Sequence, residues 1–171
     1  MSIILSEGEE KSSINLETSE GNEINNYQVF SLSAFERNSF KDYSKENYPT
    51  VKFRNSPSPI YNCHGMSFAS KRTNIDKAQE IKKILEEDNY KQVDQKSTLP
   101  GDIVLYIDPD DGDIVHSGTV TSCIDDDKDL QYILVVSKWG KFKEVVHNLY
   151  QTPYKECIHK FFRVDYEEFQ D

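Results

Sequence analysis

The two prolines of the run Ser56-Pro57-Ser58-Pro59 constrain the fold of this chain more than any other local feature. Proline has no backbone N–H and a fixed φ angle, so neither a helix interior nor a central strand can pass through this run. A new element must therefore begin near Tyr61. From Cys63 onward, Met66 and Ala69 recur at helical spacing and β-branched residues are absent until Thr73, which predicts a helix with Cys63 in its first turn.

The second half of the chain has the pattern of an antiparallel sheet. Apolar segments at 102–107 and 114–120 flank an Asp-rich turn at 108–113, and a continuous apolar run follows at 132–137. Upstream, apolar residues at helical spacing within 74–89 predict a second helix. Helices followed by strands predict an α+β fold, with N-terminal helices packed on an antiparallel sheet.

No metal site is predicted. Counting from Asp108, the glycine of the Asp-rich turn falls at the fifth position and Thr119 at the twelfth, which fails the pattern of a calcium loop. A zinc site built from Cys63, His64 and His116 lacks a spaced ligand pair. We therefore expect neither a metal nor another cofactor.

Charge restricts the partners of the chain. It carries 30 acidic and 20 basic residues, a formal net charge of −10, which opposes binding to nucleic acid or to an anionic membrane. An aromatic content of 12% is too high for a disordered chain and predicts a packed core. We expect a peptide or protein substrate, bound by one domain at 27–171 that follows an acidic, loosely ordered arm at 1–26.

Cysteine usage and the N-terminal sequence bear on location. The three cysteines Cys63, Cys123 and Cys157 are an odd number and widely spaced, which is not typical of a disulfide framework. The start of the chain lacks the basic and apolar regions of a secretory signal, and no apolar run approaches a membrane span. We expect a cytoplasmic protein, or one exported by a system that needs no such signal.

Cys63 is the strongest candidate for chemistry. Free N–H groups and the helix dipole lower the pKa of a thiol in the first turn, and the thiolate is the nucleophile. Of the four histidines, His64 lies about 100° around the helix from Cys63, whereas His116 lies on a strand in an apolar setting and is the candidate base. Alternatively, Cys63 is a small buried apolar residue and His116 a hydrogen-bonded histidine of the core or surface.

The order of three short motifs resembles the NlpC-like and CHAP-like cysteine peptidases and amidases of the papain-fold superfamily. The matching segments are Cys63 at the helix start, Pro100-Gly101-Asp102 and His116-Ser117-Gly118. The resemblance implies a papain-like fold with Cys63 as nucleophile and His116 as general base. The chain also resembles a group of bacterial proteins that carry Asn62-Cys63-His64-Gly65, His116-Ser117-Gly118 and Ser137-Lys138-Trp139-Gly140.

The same families place a third polar residue on the strand that follows the histidine. At that position this chain offers Ser137, whose hydroxyl accepts weakly from an imidazole. His147 or Asn148 would serve instead if their segment folds back beside His116. The third member is therefore open among these three residues.

Further residues are expected to contact the substrate or its oxyanion. The backbone N–H of Cys63, with Tyr61, Asn62 or His64, is the candidate oxyanion hole. Trp139 is either a substrate platform or a core residue.

We expect a cysteine hydrolase that cleaves a peptide, isopeptide or amide bond, either inside the cell or after delivery by a secretion machine as an effector or toxin. An acyltransferase would use the same Cys63 and His116 pair and pass the acyl group to an amine or alcohol. The non-enzymatic alternative is a binding or regulatory module that keeps the papain fold without a working site, for which the missing third residue is the main support.

Overall fold

The computed structural model describes residues 11–33, 46–125 and 131–166. Within these ranges the chain forms nine β-strands, two α-helices and one 3₁₀ helix. In chain order they are β1 (Lys11–Ser12), β2 (Gln28–Val29), β3 (Lys52–Arg54), α1 (Cys63–Phe68), α2 (Ala78–Glu87), β4 (Tyr90–Val93), the 3₁₀ helix (Gln95–Ser97), β5 (Ile103–Ile107), β6 (Ile114–Asp125), β7 (Gln131–Lys138), β8 (Glu144–Asn148) and β9 (Ile158–Val164). Strands β1 and β2 pair with each other, and the other seven form one antiparallel sheet in the order β3-β8-β7-β6-β5-β9-β4.

The hairpin of β5 and β6 determines which side chains share a face at the centre of the sheet. Its Asp-rich turn at 108–113 leads into a register in which Leu105 lies opposite Ser117 and Tyr106 lies opposite His116. Side chains alternate along a strand, so these two pairs project from different faces of the sheet.

Both faces of the sheet are covered. Helices α1 and α2 pack on the first, which we call the helical face; its core consists of Ile24, Ala69, Ile75, Ala78, Ile81, Ile84, Ile103, Leu105 and Ile114. The segment 149–157 packs on the second, the back face; its core consists of Val104, Tyr106, Val120, Ile133, Val135, Leu149 and Phe161, with Tyr154 and Cys157 partly buried. Ser117 therefore projects toward the helices, and His116 toward the back face.

The predicted α+β, papain-like fold with N-terminal helices on a sheet is wrong. Antiparallel strands dominate the described structure, and the two helices, of six and ten residues, lie between β3 and β4. Strands β1 to β3 have two or three residues each, too few for alternation to mark them in the sequence. Helix α1 is short because Ser70 and Lys71, just past its end, adopt φ angles of 51° and 64°. The antiparallel pairing predicted for the second half is confirmed.

The described part of the predicted N-terminal arm packs against α2. Ile24 is buried in the helical-face core. Asn25 donates to the Glu80 carboxylate at 2.7 Å, and the Ser19 N–H donates to the Asp88 carboxylate at 2.6 Å. Residues 11–26 are therefore anchored, while residues 1–10 of the arm lie outside the described ranges. Neither helix in those ranges has the length and apolar character needed to cross a membrane.

Candidate functional site

Helix α1 begins where the sequence predicts, with Cys63 as its first residue. The side chain of Asn62 caps it, because Oδ1 accepts from the N–H groups of Gly65 at 2.9 Å and Ile75 at 3.2 Å. The Asn62 amide donates to the Ile75 carbonyl at 2.8 Å and to the Asp76 carboxylate at 3.0 Å. Because both the oxygen and the nitrogen of this side-chain amide are engaged in hydrogen bonds that hold α1 in place, Asn62 acts as a cap rather than as an oxyanion donor.

Hydrogen-bond donors surround the sulfur of Cys63. The backbone N–H groups of Ser117, His64 and Cys63 and the hydroxyl of Ser117 all interact with it. Burial raises the pKa of the thiol to about 11, and these hydrogen bonds oppose the rise without cancelling it. The thiol is therefore protonated at neutral pH, which differs from the thiolate expected at a helix start.

Ser117 connects Cys63 to His64. Its hydroxyl lies 2.9 Å from Nδ1 of His64 and accepts a hydrogen bond from Ser67 at 3.1 Å. Burial lowers the pKa of His64 to about 4, so the imidazole is neutral and one of its nitrogens is an acceptor. The Ser117 hydroxyl therefore lies between the two groups, since it interacts with the Cys63 sulfur and is within hydrogen-bond distance of Nδ1 of His64.

The structure does not bring His116 to Cys63. The His116 side chain is fully buried on the back face, where it stacks on Tyr154 with ring centroids 4.1 Å apart. Neither of its ring nitrogens has a hydrogen-bond partner among the described residues, so it does not bond to the Cys63 sulfur. Burial, together with nearby His64 and His147, holds the pKa of His116 well below its usual value.

The three candidates for a third member bond to one another. Ser137 Oγ lies 2.8 Å from Nε2 of His147, and Nδ1 of His147 donates to the Asn148 carbonyl at 2.8 Å. Trp139 is buried and donates from Nε1 to Ser137 at 3.2 Å. Because His147 lies opposite Val135 of the back-face core, this chain of hydrogen bonds is not a partner of the nucleophile, and Trp139 is a core residue rather than a substrate platform.

A buried pair of charges lies near Cys63 on the helical face. Lys138 is fully buried; its ammonium donates to a backbone carbonyl at 2.6 Å and lies 4.6 Å from the centre of the Tyr61 ring. The Tyr61 hydroxyl donates to buried Glu144 at 2.9 Å, so it is occupied there rather than at an oxyanion. Burial lowers the pKa of Lys138 to about 8, and Glu144 and Cys63 oppose that shift. A cation thus acts electrostatically on the sulfur.

The sequence does not single out two residues of this site, Ser117 and Lys138. Ser117 is the middle residue of His116-Ser117-Gly118, and Lys138 belongs to Ser137-Lys138-Trp139-Gly140. The available signal was the alternation of a strand, since residues 116 and 117 cannot face the same helix. Asp102 of the Pro-Gly-Asp segment has a structural role, because Arg163 binds it through two hydrogen bonds of 2.7 and 2.8 Å.

No group of three His, Cys, Asp or Glu side chains in the described parts of the chain is arranged to hold a metal ion.

Comparison with protein-family models, with curated proteins and with solved structures finds no match to this chain. The function must therefore be inferred from the geometry around Cys63. Its buried thiol interacts with Ser117, and Ser117 lies within hydrogen-bond distance of the neutral His64. Lys138 acts on the same sulfur electrostatically.

Proposed function

We propose that the chain is a cysteine hydrolase that cleaves a peptide, isopeptide or amide bond, with Cys63 as nucleophile. The observation that carries the proposal is the path from the Cys63 sulfur to His64 through the Ser117 hydroxyl, which interacts with the sulfur and lies 2.9 Å from Nδ1 of His64. A cysteine that only fills a core needs no polar partners of this kind. His64, reached through Ser117, takes the role of general base that the sequence resemblance assigns to His116.

The path suits general-base catalysis rather than a resting thiolate paired with an imidazolium. Burial raises the pKa of the Cys63 thiol to about 11 and lowers that of His64 to about 4, so both groups are neutral at pH 7. The sulfur attacks the carbonyl carbon as its proton passes to Ser117 and the Ser117 proton passes to His64. The Asp76 carboxylate stabilises the imidazolium, and the Lys138 ammonium stabilises negative charge on sulfur.

The rest of the cycle uses the same groups. The His64 imidazolium returns a proton through Ser117 to the leaving amine, the C–N bond breaks, and a thioester remains on Cys63. Water then hydrolyses the thioester; an amine or alcohol in its place would make the site an acyltransferase. The N–H groups of His64 and Ser117 that interact with the sulfur are the candidate oxyanion donors. A free thiol nucleophile persists in a reducing compartment, so we propose a cytoplasmic location.

We expect p-nitrophenyl acetate to acetylate Cys63 faster than Cys123 or Cys157. Ser117→Ala and His64→Gln should each slow that reaction by about 100-fold, the usual contribution of a general base. His116→Phe is the matched control on the opposite face and should leave the rate unchanged. Release of p-nitrophenol gives the rate, and peptide mass spectrometry of the quenched reaction gives the acetylated residue.

The second candidate is a binding or regulatory module without catalysis, which is favoured by the burial of Cys63, only 9% exposed. If Cys63 is acetylated no faster than Cys123 and Cys157, the hydrolase proposal is wrong and the binding module is the better account. A Ser117→Ala variant that is acetylated at the parent rate would lead to the same conclusion. Circular dichroism and thermal unfolding of each variant exclude loss of the fold as the cause of a slower reaction.

A further inference from the structure

Four buried polar atoms on the back face lack a protein partner. They are the Tyr106 hydroxyl, both ring nitrogens of His116 and Nε2 of His159, and none of them has a hydrogen-bond partner among the described residues. Leaving a buried polar group unpaired costs its full desolvation penalty, so native structures pair almost all of them. Four such atoms on neighbouring side chains indicate a bound molecule.

The side chains that carry these atoms form one cluster around Tyr106. The Tyr106 ring lies 5.2 Å from that of His116 and 5.0 Å from that of His159, centroid to centroid. Tyr154 stacks on His116 at 4.1 Å with an interplanar angle of 11° and lies 6.0 Å from Tyr106. We call Tyr106, His116, Tyr154 and His159 the back-face polar cluster.

The unpaired atoms belong to neutral groups. Burial lowers the pKa of His159, holds that of His116 well below its usual value and raises that of Tyr106. The two nitrogens of neutral His116 offer one donor and one acceptor, and the phenol offers one of each. His159 donates to the Tyr154 backbone, which leaves Nε2 as an acceptor. This set suits a neutral molecule that both donates and accepts hydrogen bonds, because an anion would meet acceptors and a cation would meet donors.

One half-exposed side chain packs against the cluster. Tyr150 is 52% exposed, and its ring packs edge-on against His159 with centroids 5.2 Å apart. Burial raises the pKa of Tyr106, and nearby Cys157 and Tyr150 add to the rise, so its hydroxyl lies near these two residues.

We propose that the back-face polar cluster is an internal hydration site, in which ordered water bridges the Tyr106 hydroxyl, a ring nitrogen of His116 and Nε2 of His159. A buried water typically makes about three hydrogen bonds, which matches the three side chains available. The site lies on the opposite face from Cys63 and uses none of the groups of the proposed catalysis, so the two proposals stand separately. It also explains why β6 carries a histidine at a fully buried position.

A high-resolution crystal structure of the full chain tests the proposal directly. It should show a water oxygen within hydrogen-bond distance of at least two of the four atoms. Tyr106→Phe keeps the ring and removes one bond to that water, so its Tm should fall by about 3 °C. Tyr132→Phe is the control, because its hydroxyl belongs to a side chain that is 47% exposed, and its Tm should equal that of the parent.

Three outcomes would overturn the hydration site. The first is a crystal structure without an ordered molecule at the cluster, and the second is an ion or organic molecule in place of water. The third is a Tm of Tyr106→Phe equal to or above that of the parent, because deleting an unpaired hydroxyl relieves a penalty instead of breaking a bond. If Tyr106→Phe does not fold, the structure of the parent decides.

Discussion

Gly65→Ala is expected to destabilise the fold by about 3 kcal/mol. A Cβ at residue 65 would lie 1.7 Å from the carbonyl oxygen of Thr73 and 2.9 Å from its carbonyl carbon, so α1 or the segment of Thr73 must move. That segment is held in place, since Asn74 exchanges backbone hydrogen bonds of 2.8 and 3.1 Å with Tyr27 and its side chain donates to the Ile60 carbonyl. Helix propensity alone predicts the opposite change in the free energy of unfolding, because it favours Ala over Gly by about 1 kcal/mol.

Urea unfolding followed by circular dichroism measures this loss. Gly112→Ala is the control, because a Cβ there meets nothing within 4 Å and only the left-handed backbone at φ 76° opposes it. That conformation costs about 1 kcal/mol for a residue with a Cβ. A Gly65→Ala variant as stable as the parent would contradict the steric account and would mean that α1 can shift freely against the Thr73 segment.

Through His64 and His147, a drop in pH from 7 to 5 is expected to remove about 4 kcal/mol from the free energy of unfolding. Burial lowers the pKa of both His64 and His147 from 6.5 to about 4. Between these values the unfolded chain binds a proton at each residue and the folded chain does not. Stability is therefore complete above pH 6.5 and declines as the pH falls toward 4, by about 2 kcal/mol per histidine at pH 5. Against a typical total of about 5–15 kcal/mol, this loss is large.

Urea unfolding at several pH values between 7 and 5 checks this expectation. The carboxylates Glu80 and Glu144 do not contribute within that window, because hydrogen bonds to them outweigh burial and lower the pKa of each below 4.5. His116→Phe removes another buried titrating ring and keeps the stacking on Tyr154, so the slope of stability against pH should decrease. A free energy of unfolding that is constant from pH 7 to pH 5 would show that the folded chain accommodates charged histidines.

Elements with a pattern in their own residues could be predicted from the sequence. Helix α1 starts at Cys63 as expected, and the helix predicted within 74–89 is α2, Ala78–Glu87. The hairpin around 108–113 and the apolar strand at 132–137 are β5, β6 and β7. The fold class was wrong because β1, β2 and β3 are too short to show a period and depend on partners far along the chain.

Part of the geometry around Cys63 could be predicted from the sequence. Cys63 does interact with backbone N–H groups at the start of a helix, but burial raises the pKa of its thiol instead of allowing the helix start to lower it. Its position about 100° around the helix from Cys63 argues against His64 as the base. In the structure, however, His64 lies within hydrogen-bond distance of the serine that the sulfur also contacts. Ser117 contacts Cys63 and His64 from a strand that is distant in the sequence, and such a long-range contact produces no pattern in the residues around Cys63.

Local residue patterns were sufficient to place a cysteine at a helix start, a histidine and a serine side by side on a buried strand, and an antiparallel arrangement in the second half. Which of the two strand residues meets the helix depended on long-range contacts. Ser117 lies opposite Leu105, whose side chain packs under α2, so Ser117 and not His116 reaches Cys63. The physical reason is the period of two along a strand, since a register shift of one residue exchanges the faces of every side chain.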